Sequence, residues 1–430
     1  MISRLRQVGV FVTESCNLAC GYCFAANMEN RFVAYPVAQA ALDLVFHESV
    51  QSKDVVVCFW GGEPLLAFGL IQDLVHYGES RAAQTGKKIR FAIPTNATLL
   101  DDPKIDFCIA HDISLSLSLD GLEPAQSLRP TRGGGSSFPQ VTSALALLKR
   151  RYGDNLPGVR MTVSPSTAGT VHENADFFFE QGFTHLFFAP VHLASWSEDE
   201  FLAYEESLKR LAQDWLERLS RGEKRFVTNW DKLLVKQQCI LDAPFVSSHR
   251  LVECGAGSTM VAVDLHGDIY PCHRFVFYDK KQRAHGLGNV LRGEMDNAAM
   301  ADFQASASNC GTATQRCDSC PDNSRCHGPC PAVNISLTGS LCGIDERQCR
   351  LGLIESRAVE HLKTLGKGSL AFGKHLEAVA KRARESGAVS AELSTFFTAL
   401  DEEKRAEIAD RAADILTSLQ KQRKGRGEGP

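Results

Sequence analysis

The sequence predicts an α/β protein whose front half is a partial (β/α)6 barrel, an open arc of parallel strands wrapped by helices. From Gln7 to about Leu219, six short β-branched runs alternate with longer segments of helical periodicity, the pattern that a parallel sheet covered by helices requires. Six units are too few to close an eight-fold barrel, so the sheet is expected to stay open. The polar and glycine-rich stretches follow the strands, where such folds collect their chemistry.

Taken in order, the expected strands are Val8–Thr13, Val55–Trp60, Ile89–Pro94, Ile113–Leu119, Val159–Val163 and His185–Ala189. Helical length and periodicity appear in Pro36–Glu48, Leu65–Gly78, Phe138–Arg151 and Ser197–Ser220. Farther on, Val261–Val263 and Asp268–Pro271 around His266-Gly267 read as a β-hairpin. Glu355–Leu365, Phe372–Glu385 and Glu402–Gln420 read as helices, and Ser390-Ala391-Glu392 as the cap of a shorter one.

Length and composition narrow the function. The 430 residues, 44% of them hydrophobic, suffice for two or three domains with sizeable cores. No run approaches the roughly 18 apolar residues of a membrane helix, and Met1-Ile2-Ser3-Arg4-Leu5-Arg6 lacks the apolar core of a secretory signal, so a cytoplasmic protein without a membrane partner is expected. The 47 basic and 51 acidic residues are interspersed and leave a net charge of −4, which gives no footprint for nucleic acid. The basic run from Lys421 to Arg426 reads as a solvated end. Fifteen cysteines in a reducing compartment point to metal ligation rather than disulfides. Cys58 and Cys108 lie in apolar runs and read as core thiols.

Directly after the first strand come Cys16, Cys20 and Cys23. Three thiolates hold three irons of a 4Fe–4S cube and leave the fourth open. Zinc would need a fourth ligand nearby, and no Cys or His lies between Cys23 and His47. After the second strand stands Gly61-Gly62-Glu63-Pro64, in which two glycines permit close backbone approach and Pro64 opens a helix. Thr95-Asn96-Ala97-Thr98 follows the third strand, and there Asn96 reads either as a cap or as a ligand contact. In Ser116-Leu117-Ser118-Leu119-Asp120, alternation puts Ser116, Ser118 and Asp120 on one face. Arg129 and Arg132 sit in the loop that follows, and Thr162 and Ser164 end the fifth strand.

The CX3CX2C spacing, with Tyr22 before the last cysteine, resembles the signature loop of the radical S-adenosylmethionine (SAM) enzymes, whose barrel is of the partial TIM type. The resemblance implies that the vacant iron chelates the amino and carboxylate groups of SAM. It implies further that Gly61, Gly62, Glu63 and Pro64 contact the SAM amino group, and that Arg129, with Arg132 in reserve, grips the carboxylate through paired hydrogen bonds. Tyr22, Asn96, Ser116, Ser118 and Thr162 complete the expected cofactor site. Two positions depart from the family pattern: Ala97 replaces a glycine, and Gln126-Ser127 stands where a His-Asp pair is frequent.

The back half runs Cys254, twelve residues, Gly267, four residues, Cys272, then Cys317, Cys320, Cys326, Cys330 and finally Cys349. Seven ligands exceed one tetrahedral zinc site. The pattern resembles the SPASM domain of peptide and protein maturases, which implies two auxiliary 4Fe–4S clusters. One falls on Cys317, Cys320, Cys326 and Cys349. The other falls on Cys254, Cys272 and Cys330, with Cys310 or Cys342 completing it or an iron left open to substrate. Anaerobic sulfatase-maturating enzymes, which this chain resembles, carry after the second cysteine an aspartate that takes the substrate proton. Here His273 stands in that place, followed by Arg274, and Cys-His-Arg-Phe looks more like the ribosomal-peptide maturases. An imidazole accepts a proton near neutral pH, or simply hydrogen-bonds beside the cluster.

The expected organisation is a radical SAM barrel over 1–235, a linker over 236–253, a SPASM domain over 254–352 and a helical extension over 353–430 whose end lacks order. The resemblance implies an enzyme that forms a 5′-deoxyadenosyl radical, abstracts hydrogen from a peptide or protein residue, and draws electrons from a flavodoxin or ferredoxin. A cross-link in a ribosomally made precursor peptide is the leading expectation, and oxidation of Cys or Ser to formylglycine is the alternative. A multi-cluster electron carrier would explain the cysteines but not Gly61-Gly62-Glu63-Pro64 or the barrel.

Overall fold

The structure, a computed structural model, describes residues 5–25, 29–50, 52–234, 255–278, 284–308, 320 and 330–385. Strands β1 (Gln7–Thr13), β2 (Asp54–Gly61), β3 (Lys88–Thr95), β4 (Ile113–Ser118), β5 (Gly158–Val163) and β6 (His185–Pro190) pair in parallel in sequential order. They are interleaved with helices α1 (Tyr35–Glu48), α2 (Phe68–Thr85), α3 (Asp102–Ala110), the single turn α4 (Glu123–Gln126), α5 (Phe138–Tyr152), α6 (Val171–Glu180) and α7 (Glu198–Ser220). Each expected strand is present to within two residues. Helices α3 and α6 and the single turn α4 are additions to the expected set.

Local chemistry accounts for the elements. In α1, Pro36 sits in the first turn, and Val37, Ala38, Ala41, Leu42, Val45 and Phe46 form one buried stripe at helical spacing. Helix α7 opens with a capping box: Ser197 accepts from the Glu200 N–H, and the Glu200 side chain accepts from the Ser197 N–H at 2.7 Å. Strand β4 alternates buried Ile113, Leu115 and Leu117 with partly exposed Ser116 and Ser118, so the serines share the face away from the leucines.

The sheet does not stop at six strands. Beyond β6 lies the short β7 (Phe226–Val227), and beyond β1 lie β8 (Met260–Val263) and β9 (Ile269–Tyr270), giving the order β7-β6-β5-β4-β3-β2-β1-β8-β9. The hairpin read from the sequence is therefore β8–β9, antiparallel, with Ala262 opposite Tyr270. Its first strand pairs in parallel with β1, Val8 against Val261 and Val10 against Val263. The cysteine-bearing back half is thus seamed into the barrel sheet through backbone hydrogen bonds.

Two compact units are present, one within residues 1–233 and 248–367, the other within 234–247 and 368–430. The described part of the second is chiefly the helix Leu370–Glu385. The expected linker over 236–253 and the expected helices from Ser390 onward lie outside the described residues. Among the described residues no helix is long and apolar enough to cross a membrane.

In the first unit the helix Glu346–Leu365 packs on α7. The Arg350 guanidinium lies 4.0 Å from the Phe201 ring, Arg357 pairs with Glu205 at 2.9 Å, and the Tyr204 hydroxyl donates to the Glu355 carboxylate at 3.3 Å. Burial pushes the Glu355 carboxyl up to about 7 against the pull of Asn229 and Tyr204. A carboxyl raised in the fold binds more protons there than in the unfolded chain between its ordinary pKa and about 7, so stability declines as pH rises through that window. Glu355→Gln is therefore expected to flatten the decline, recovering about 3 kcal/mol at pH 7.5 relative to pH 4.5. Chemical denaturation of both proteins at the two pH values measures it.

Candidate active site

The cysteine loop leaves the C-terminal end of β1 and is zipped to the segment after α4. The Ala19 N–H donates to the Pro130 carbonyl at 2.8 Å, the Gly21 N–H to Leu128 at 3.2 Å and the Arg132 N–H to Asn17 at 3.2 Å. Arg132 Nε also donates to the Cys16 carbonyl. From below, the loop rests on Gly61 and Gly62. The Gly62 N–H donates to the Thr13 carbonyl at 3.2 Å and the Glu63 N–H to Ser15 at 2.8 Å. A Cβ on Gly61 would stand 2.4 Å from the Thr13 oxygen, and one on Gly62 2.3 Å from the Ser15 oxygen and 2.8 Å from Cys16 Cβ. The glycines are thus required by the cysteine loop itself, which sits too close to admit a side chain.

Glu63 is buried and its acceptors are occupied by protein donors: Leu65 N–H at 3.1 Å, the Thr95 hydroxyl at 2.8 Å and Asn96 N–H at 2.8 Å. Burial raises its carboxyl against those three hydrogen bonds. It fastens the ends of β2 and β3 to each other. Asn96 is buried too; its Nδ2 donates to Asn17 at 2.9 Å and lies 4.0 Å from Cys16 Sγ, while its Oδ1 accepts from the Thr98 N–H and hydroxyl. Ala97 takes the left-handed conformation, φ 66°, at the point where the family pattern has glycine.

Asp120 organises the other side. Its carboxylate accepts from the Tyr22 hydroxyl, from Arg129 Nη1 at 3.4 Å and from the Thr162 N–H at 3.0 Å. Arg129 Nη1 also donates to the Tyr22 oxygen at 2.8 Å. Burial works against the charge on Arg129, yet Tyr22, Asp120 and Cys20 outweigh it and hold the guanidinium above its ordinary value. Burial likewise raises the Asp120 carboxyl, against the pull of Arg129, Tyr22 and Thr162. Arg129 Nε, wholly buried, has no hydrogen-bond partner among the described residues.

The three thiols lie within electrostatic reach of one another and of this network, Cys16, Cys23 and Arg129 all acting on Cys20. Burial pushes Cys20 up to about 11, opposed by Arg129 and reinforced by Cys23 and Cys16. Cys16 is raised for the same first reason, against its hydrogen bond from the Leu18 N–H. The Cys16 and Cys20 thiols resist ionisation on their own, and metal binding expels such protons. The geometry therefore fits a cluster on Cys16, Cys20 and Cys23, with the unpartnered Arg129 Nε close by.

Cations and imidazoles supply the remaining wall. His273 stacks flat on Trp60, with ring centroids 4.0 Å apart and planes 6° apart. Trp60 lies against Gly9 of β1, where a Cβ would meet the indole at 2.9 Å. Burial, then Arg274 and Arg160, depress the His273 imidazolium well below the ordinary histidine value. His192 is pushed down to about 4 by burial and Arg274, and Arg160 down to about 10 by burial, Arg274 and Arg129. The sequence reading did not single out Arg160 or His192. The signal for Arg160 was its place on β5 two residues before Thr162, on the same face of the strand.

Two cysteines of the back half, Cys272 and Cys330, approach the front. Tyr278 has Cys330, Cys272 and Cys23 among the charges that raise its pKa, after burial as the leading cause. Phe24, next to Cys23, packs against Phe277, Tyr278 and His273 at 5.2, 6.1 and 6.4 Å. Cys320, Cys330 and Cys349 are partly exposed and Cys272 is buried. Cys342 is disulfide-bonded in this structure, contrary to the expectation of ligation without disulfides, so its sulfur is not free to hold a metal. Cys254, Cys310, Cys317 and Cys326 lie outside the described residues. Ser116 and Ser118 lie on the face of β4 opposite its buried leucines, and Pro64 begins a buried 3-10 turn capped by Glu63.

Comparison with known proteins agrees with this geometry. The radical SAM superfamily model matches residues 10–178. An uncharacterized protein of Methanocaldococcus jannaschii is 34% identical over 149 residues, 35% of this chain and half the length of that protein. A serine-type anaerobic sulfatase-maturating enzyme of Klebsiella aerogenes is 25% identical over 343 residues, covering 77% of this chain and 81% of that one. Among solved structures, anSMEcpe with bound AdoMet superimposes with a TM-score of 0.69 at 21% identity, over 88% of this chain and 98% of the other. Streptococcus suis SuiB bound to S-adenosylmethionine gives 0.53 at 18% identity, over 80% and 77%. Further structures of those two proteins hold the Cp18Cys peptide and the precursor peptide SuiA.

Arg129→Met leaves the Asp120 charge buried without its cation. It is expected to destabilise the fold by about 3–5 kcal/mol, and adding Asp120→Asn to recover part of the loss. Urea denaturation of the two variants and the parent measures both steps.

Proposed function

We propose that the chain, whose residues 10–178 match the radical SAM superfamily model, oxidatively modifies a residue of a peptide or protein substrate, leaving a cross-link in a ribosomally made peptide. The observation that carries the reading is the convergence of Cys16, Cys20 and Cys23 beside the buried Arg129–Asp120–Tyr22 network, with His273 and two further arginines opposite. When bound, the cluster and SAM supply an electron and a 5′-deoxyadenosyl radical able to take hydrogen from an unactivated C–H bond. In this reading the chain's own groups position and shield. Arg129 Nε is the donor left over for the SAM carboxylate, and Asp120 fixes the guanidinium that carries it. Asn96, Ser116, Ser118 and Thr162 border the same space. His273, kept neutral first by burial and then by Arg274 and Arg160, and stacked on Trp60, is the proton acceptor of this reading.

We assign the back-half ligand sets as the cysteine spacing implies: Cys317, Cys320, Cys326 and Cys349 in one, and Cys254, Cys272 and Cys330 in the other, whose fourth position is filled by Cys310 or left open to substrate; Cys342, disulfide-bonded in this structure, does not supply it. The proximity of Cys272 and Cys330 to Tyr278 and Cys23 supports a route by which the substrate electron leaves toward them. A flavodoxin or ferredoxin is the electron donor in this reading.

Formylglycine formation is the second reading. The coverage of the sulfatase-maturating relatives favours it, and the histidine at position 273 weighs against it. An aldehyde trapped by a hydrazide in a sulfatase-type Ser or Cys peptide would mark formylglycine, and a cross-linked precursor peptide the leading reading.

Anaerobically reconstituted protein is expected to hold about twelve irons per chain, falling to about eight in the Cys16→Ala/Cys20→Ala/Cys23→Ala variant. With dithionite and SAM it should form 5′-deoxyadenosine, and the triple variant should form none above a protein-free control. Product formation by that variant contradicts the reading.

A further inference from the structure

A second cluster of ligand-type side chains lies at the other end of the barrel. His76 and Glu79 stand one turn apart on α2 and so share a face. His111 caps the C-terminus of α3 and precedes β4, at the N-terminal edge of the sheet, whereas the cysteine loop leaves the C-terminal end of β1. The fold brings all three together: His111 Nδ1 lies 2.8 Å from Glu79 Oε1, His76 Nδ1 lies 3.9 Å from Glu79 Oε2, and one ligand atom from each residue falls within 4.8 Å of the others.

We propose that His76, Glu79 and His111 bind a divalent d-block ion, zinc above all, at a site separate from the iron chemistry. Two imidazole nitrogens and a carboxylate form a donor set that suits zinc, nickel or cobalt and not the hard magnesium or calcium ions. A tetrahedral zinc with bonds of about 2.0–2.1 Å separates its ligand atoms by roughly 3.4 Å. The 2.8 and 3.9 Å spacings run to the two different oxygens of the Glu79 carboxylate, and one ligand atom from each residue lies within 4.8 Å of the others, so side-chain rotation brings the three donors to that separation. A shared hydrogen-bonded carboxylate explains one imidazole. The convergence of two, with ring centroids 5.0 Å apart, is what a shared cation explains.

The surroundings favour a fixed geometry. The Phe107 ring packs against His111 at 4.2 Å and edge-on against His76 at 5.7 Å, forming an apolar wall that limits both imidazoles. On the open side, a hollow of about 480 Å³ lined by Tyr35, Asp73, His76 and Tyr77 gives an ion access. Three protein ligands leave the fourth position to water. The bound ion ties α2 to the end of α3 across the outside of the barrel.

Because the chain's cysteines also take up zinc, the test must read the donor atoms. Full-length protein with its clusters reconstituted is incubated anaerobically with zinc chloride, desalted, and studied by metal analysis and zinc K-edge absorption. The expected result is one zinc per chain with nitrogen and oxygen neighbours at about 2.0 Å and no sulfur at 2.3 Å. His111→Gln and His76→Gln should each weaken zinc binding by more than about 100-fold while 5′-deoxyadenosine formation stays unchanged. Zinc that shows only sulfur neighbours, zinc retained equally by both variants, or no zinc retained by the parent overturns the proposal.

Discussion

The Asp120 carboxylate ties together three segments that are far apart in sequence. Through Tyr22 it holds the cysteine loop, through Arg129 the segment after α4, and through the Thr162 N–H the end of β5. The carboxylate's charge is met by the Arg129 guanidinium, in surroundings where an unpaired charge costs several kcal/mol. The loop that carries Cys16, Cys20 and Cys23 is held by this knot on one side and by the Gly61-Gly62 shelf on the other. Removing either frees a loop that has little regular structure of its own.

The same logic joins the back half to the front. The hairpin β8–β9 is a continuation of the barrel sheet, paired to β1 over four residues. That pairing delivers Cys272 and His273 to the mouth of the barrel, where Trp60 receives the imidazole. Gly9 is the small residue that makes room for the indole. A pairing register, an indole and a missing side chain together decide where the histidine stands, and burial, reinforced by Arg274 and Arg160, disfavours its charged form.

Much of the barrel was legible because β-branched alternation and helical spacing are local signals, and each strand was readable to within two residues. Helix α3 escaped because it is short and buries only Ile105 and Cys108. Helix α6 escaped because its Phe177-Phe178-Phe179 run carries no clear period. The parallel pairing of β8 with β1 is a contact between positions some 250 residues apart, which no local pattern encodes. At the site, residue types were legible and partners were not. Glu63 and the two glycines were read as facing a ligand, yet their closest partners are the cysteine loop and the β3 end. Arg129 was read as a carboxylate clamp, and the structure shows what clamps Arg129.

The central claim is that three sulfurs hold the front cluster and leave one iron for SAM. Electron paramagnetic resonance of the dithionite-reduced full chain, titrated with SAM, tests it most directly. The account predicts that one signal shifts on SAM addition and that this signal is missing when Cys16, Cys20 and Cys23 are replaced by alanine. A set of signals indifferent to SAM in the parent protein would contradict it.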